Sequence, residues 1–168
     1  MNTKEIIGLS VLLGLVAFGR VAQLYIWPRL QVMDREDALN ALIAPHMIRY
    51  AGLSFLMPGI VSPQLPPAFA LPAAYGDLTA SLLAIVATFA LSARASWAIT
   101  AVWLFNIEGS IDLLFAYYQG VVGIGLEPGV LGAAFYIPTV YVPLLLVSHF
   151  LVFRLLLKPA PRVRPHST

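Results

Sequence analysis

Residues Trp97 to Gly120 read WAITAVWLFNIEGSIDLLFAYYQG, an apolar run with Asn106, Glu108 and Asp112 near its middle. Crossing ~30 Å of hydrocarbon takes about 20 helical residues at 1.5 Å each, so the run is long enough to span a bilayer. A charged side chain at the bilayer centre costs at least ~2.5–3.5 kcal/mol on insertion scales. Two acids one helical turn apart must therefore be held by something, and the holders must come from the rest of the chain.

That rest is membrane-like too. Only 11% of the 168 residues are charged, against about 25% in soluble domains, which leaves too little polar surface to face water. Spans are expected at about 5–27, 41–61, 69–91, 97–120 and 133–157. The fold class is an all-α polytopic integral membrane bundle of five transmembrane helices. It forms one domain, 1–157, with a basic, proline-rich tail, 158–168. The second span is short and carries Pro45, so the fallback is four spans plus a re-entrant segment. Pro28 is expected to stop the first helix, and Asp34 to cap a short interfacial helix with Glu36 and Asp37 in its first turn. Pro138 and Pro143 predict a kinked last helix. Thr79, Ala80, Ser81, Ala84 and Ala87 predict a face that packs closely on protein. The acidic flank at Glu5 and the lack of a small-x-small site argue against a removed signal peptide.

Five spans place Arg29, Arg35, Arg94, Lys158, Arg162 and Arg164 on one side and Lys4 on the other. The positive-inside rule then puts the N-terminus outside and the C-terminus in the cytoplasm, as in the inner membrane of a bacterium. These arginines are scattered and make no patch for nucleic acid. The absence of cysteine removes disulfides, thiolate metal sites and thiol nucleophiles together.

Counting from span midpoints gives a polar layer. Glu108 lies near the midplane, Asp77 and Asp112 roughly 5–6 Å to its outer side, and Arg20, Arg49 and His149 roughly 6–8 Å to its inner side. Buried charges pair or neutralise, so Arg20 and Arg49 are expected as ion-pair partners of the acids, with snorkelling as the alternative for Arg20. Glu108 and Asp112, at i and i+4, are expected to share a proton. Asn106 would orient the acids, and Tyr141 and His149 would add contacts. A metal alternative uses His46, His149, Glu108 and Asp112, though no HExxH or ExxH motif is present. No cofactor can be named. Phe115, Tyr117, Tyr118, Tyr136 and Tyr141 either line a pocket or form interfacial belts. Gly76 beside Asp77, and Gly109 three residues before Asp112, would let a neighbouring backbone approach.

Asp77 early in one helix, the turn Arg94 to Trp97, and Pro138 with Pro143 give the last three spans a further property. They resemble the EXPERA group of small membrane proteins, which includes emopamil-binding protein. The resemblance implies a helical bundle with a membrane-open pocket for sterol-like ligands. This chain departs in its five expected spans, where that group has four, and no catalytic residue carries over. The expected function is a pocket for a small lipid-like ligand, its polar end held by Asp77, Glu108 and Asp112, with or without proton transfer. One alternative is proton- or cation-coupled transport by an oligomer, with breaks at Pro45, Pro58 and Pro143. Another is an accessory subunit of a larger membrane complex.

Overall fold

A computed structural model describes residues 2–158, and among them regular structure is helical apart from one isolated bridge between Pro58 and Val61. Helix α1 is Thr3–Leu30. Helix α2, Arg35–Ile43, runs directly into a 3₁₀ helix, Ala44–Leu56. Helix α3 is Pro67–Ser92, α4 is Ala98–Gly123 and α5 is Ile137–Leu156, with a short 3₁₀ stretch, Pro128–Phe135, before α5. Among the described residues four helices, α1, α3, α4 and α5, are long and apolar enough to cross a membrane.

The segment from α2 through the 3₁₀ helix misses that criterion because it carries Arg35, Glu36, Asp37, Asn40, His46 and Arg49. It nevertheless runs antiparallel along α3. Asn40 donates to Ser92 Oγ (3.1 Å) at one end, and Phe55 meets Phe69 edge-on at the other, with centroids 5.6 Å apart. A 3₁₀ helix rises about 2.0 Å per residue, so its 13 residues cover ~26 Å, a length that needs about 17 residues of α-helix.

Pro45 is the local cause of the rewinding. It lacks an N–H and its ring clashes with the carbonyl four residues back. Runs of 3₁₀ helix this long are uncommon, because their hydrogen bonds are poorer. Neighbouring hydroxyls supply the missing partners: Ser148 Oγ donates to Leu42 O (2.7 Å), Tyr141 Oη to Pro45 O (2.5 Å) and Ser81 Oγ to Met47 O (2.6 Å).

Other prolines are absorbed by π turns. Pro28 does not stop α1, which continues to Leu30. A π turn at Ala22–Ile26 precedes it, and the Trp27 N–H reaches back five residues to Ala22 O. A second π turn, Ile137–Tyr141, precedes Pro143, with the Val142 N–H on Ile137 O. Pro143 gives Thr139 O no N–H partner. Gly14 of α1 packs there, where a Cβ would lie 3.2 Å from Thr139 O and 3.1 Å from Pro143. Asp34 does occupy the N-cap of α2, but its side chain makes no capping bond. The second helical passage starts at Arg35 and ends at Leu56, earlier at both ends than the expected 41–61.

The loops sort into two ends. At one, Ser62 N–H donates to Val130 O (3.0 Å), Ala133 N–H donates to Ile60 O (2.9 Å), and Lys4 pairs with Glu127 (3.0 Å). Gly132, at φ +52°, lies so close to Ile60 O that no side chain fits. At the other end Arg35 donates to Leu156 O (2.6 Å) and Arg94 pairs with Glu36 (2.5 Å). The chain thus passes from one end of the bundle to the other five times. The small face of α3, including Ala80, Ser81, Ala84 and Ala87, is buried as its composition predicts. The expected tail lies outside the described residues from residue 159 onward.

Candidate functional site

His46, Arg49, Gly52 and Phe55 are the buried residues of the 3₁₀ helix. They recur every three residues, and a 3₁₀ helix with three residues per turn stacks such positions in one column. That column carries Arg49 into the middle of the bundle with no exposure at all.

Three helices receive its guanidinium. Nε donates to Asp77 Oδ1 of α3 (2.8 Å), and Nη2 to Asp112 Oδ2 of α4 (2.6 Å). Nη1 donates to Gly109 O (3.2 Å) and lies 3.5 Å from His149 Nε2 of α5. Glycines make this approach feasible. A Cβ on Gly52 would overlap Asp77, one on Gly76 would overlap Asp112, and one on Gly109 would sit 2.8 Å from Arg49 Nη1. Gly76 and Gly109 therefore admit side chains from other helices, where the sequence suggested a backbone. Gly52 was not legible as part of the site, although its spacing from Arg49 carries the signal.

Asn106 fixes His149. Its Nδ2 donates to His149 O (3.3 Å), so its Oδ1, 2.7 Å from His149 Nδ1, is the acceptor. Nδ1 then bears the proton, and Nε2 presents its lone pair to Arg49. Asn106 thus orients the histidine, while the acids are oriented by Arg49. His46 is fully buried against Phe105 (centroids 4.9 Å apart) and His149 (4.3 Å), and neither of its ring nitrogens has a partner among the described residues.

The remaining expected residues lie elsewhere or in other roles. Arg20 is not an ion-pair partner of the acids: it is exposed on α1 and bonds Gln23 (2.9 Å). Glu108 is half-buried, with Oε2 buried and unpartnered among the described residues, and Asp112 has turned to Arg49. No hydrogen bond joins the two acids. Tyr141 spends its hydroxyl on Pro45 O. Tyr118 and Tyr136 face outward, 59% and 68% exposed, as belt residues would. Among the described residues no three His, Asp or Glu converge as a metal set. His149 faces a guanidinium there, so the alternative of His46, His149, Glu108 and Asp112 is not assembled.

Asp77 and Asp112 also form the inner end of a cavity of about 170 Å³. Phe55, Phe69, Ala116, Leu131 and Val142 are among its walls, Tyr117 joins them, and Lys4 stands at the end marked by Glu127. Two carboxylates share one guanidinium, which leaves an excess of one formal negative charge when both are ionised. Their side chains keep 11% and 12% exposure.

No curated protein and no solved structure matches the chain. A family model matches residues 6–157, which covers the five helical passages apart from the first three residues of α1. The chain therefore belongs to the family described as a domain of unknown function, DUF8737.

Proposed function

We propose that this is an integral membrane protein whose cavity binds a small lipid-soluble molecule bearing an amine or hydroxyl. The observation that carries the reading is the pair of carboxylates at the inner end of a largely apolar cavity. Asp77 and Asp112, already sharing Arg49, accept hydrogen bonds from the ligand's polar end, and the aromatic and aliphatic walls take its body. A dry apolar cavity of ~150 Å³ accommodates benzene, so the space suits one ring and a short polar arm. That is smaller than the sterol-like ligand the EXPERA resemblance implies.

The chain crosses the bilayer five times in this reading, with the 3₁₀ segment as the second crossing. The basic end, with Arg35, Arg94 and Lys158, is cytoplasmic, and the cavity opens toward the outer side. Cation transport is the weaker reading, because the fully buried Arg49 guanidinium lies behind the acids, and a fixed positive charge is a barrier to cations.

Thermal unfolding in detergent with benzylamine, toluene and benzoate tests the binding. Benzylamine is expected to raise the melting temperature most and benzoate not at all. Ala116→Leu, which fills the cavity, is expected to abolish the shift. Equal shifts for benzylamine and benzoate would overturn the role of the acids.

A further inference from the structure

The geometry points to a second site, at the basic end of the bundle, where Trp27, Arg154 and Lys158 bind the phosphate of an anionic membrane lipid. Arg154 Cζ lies 3.8 Å and Lys158 Nζ 4.5 Å from the centre of the Trp27 ring. Arg154 lies in the last turn of α5 and Lys158 two residues past its end, and like charges held this close repel. The indole gathers them despite that, through its negative π face. Among the described residues neither is paired with a carboxylate.

Cations near a helix C-terminus often answer its negative end. Here Arg35 takes that task, donating to Leu156 O between the two cations. Arg154 and Lys158, both exposed, therefore keep donors to spare. A phosphodiester monoanion answers both, because guanidinium and ammonium are the two side chains that recognise phosphate. Trp27 sits where an interfacial ring belongs. Above it the outward face of α1 offers Leu24, Val16 and Leu13, 45%, 62% and 58% exposed, as a bed for an acyl chain.

Native mass spectrometry of the full-length, delipidated protein tests the site, with phosphatidylglycerol and phosphatidylcholine as probes. Each cation near an anionic headgroup contributes about fivefold in affinity. The wild type is expected to prefer phosphatidylglycerol, and Arg154→Gln/Lys158→Gln to lower that preference about thirtyfold. Arg94→Gln, at the same end but paired with Glu36, is expected to keep it. Circular dichroism checks that each variant is folded. Equal binding of both lipids by the wild type, or an unchanged preference in the double variant, would overturn the proposal. Displacement of phosphatidylglycerol by an equal concentration of inorganic phosphate would also overturn it, because the site would then read phosphate without the lipid.

Discussion

Arg49 is held by Asp77, Asp112, Gly109 and His149, and removing it strands one buried and one part-buried carboxylate. Breaking a buried pair from one side costs ~3–5 kcal/mol, whereas removing both partners costs less than the sum. Arg49→Met is therefore expected to lower thermal stability severely, and Arg49→Met/Asp77→Asn to recover part of the loss. Strict additivity in that double-mutant cycle would contradict the pairing. The glycines give a second prediction. Gly76→Ala forces a Cβ onto Asp112 and should cost ~1–3 kcal/mol by overpacking. Gly19→Ala, with nothing within 4 Å, should be neutral or stabilising, as alanine favours helix. The sequence placed Arg20 and Arg49 at similar depth, and depth could not separate them. What separates them is context along the chain: Arg49 belongs to the three-residue column His46, Arg49, Gly52, Phe55, whereas Arg20 has Gln23 beside it on a helix that is mostly exposed.

The passage from Arg35 to Leu56 depends on its neighbours more than on its own propensity. A 3₁₀ helix of this length survives because hydroxyls from α3 and α5 satisfy its carbonyls. Tyr141→Phe and Ser81→Ala each leave a part-buried carbonyl short of a donor, a loss of about 1 kcal/mol. Thermal unfolding should show a fall in stability for both. Ser62→Ala, whose hydroxyl among the described residues serves only the exposed Gln64 N–H, should stay within ~0.5 kcal/mol of wild type. Pro45 pointed to backbone groups needing such partners, and that much was legible. The π turns were not. Pro28 reads as a stop because an α-helix has no place for it, and nothing in residues 22–26 announces the wider winding that accommodates it.

Seen as a bundle, the chain gathers Arg35, Arg94, Arg154 and Lys158 at one end and joins Lys4 to Glu127 at the other. The proposed five crossings rest on that sorting, and the lack of native cysteine makes them simple to check. On intact cells an impermeant maleimide should label Gln64→Cys and leave Met33→Cys, before the 35–56 passage, unlabelled. Equal labelling of the two would contradict a crossing by that passage. Hydropathy revealed the four apolar helices and their approximate bounds. The cavity was invisible, because it depends on how the helices rotate about their axes, and packing sets that rotation. Asp77 and Asp112 were legible as acids of one layer. Their meeting on a single arginine required the 3₁₀ column.

The central claim is that the acid pair holds a ligand's polar end. Native mass spectrometry of the detergent-purified protein tests it most directly, with wild type, Asp112→Asn and the cavity-filling Ala116→Leu compared. The account predicts a co-purified small molecule on the wild type that is reduced in Asp112→Asn and absent from Ala116→Leu. A wild type that carries none, or a bound molecule retained equally by both variants, would contradict it.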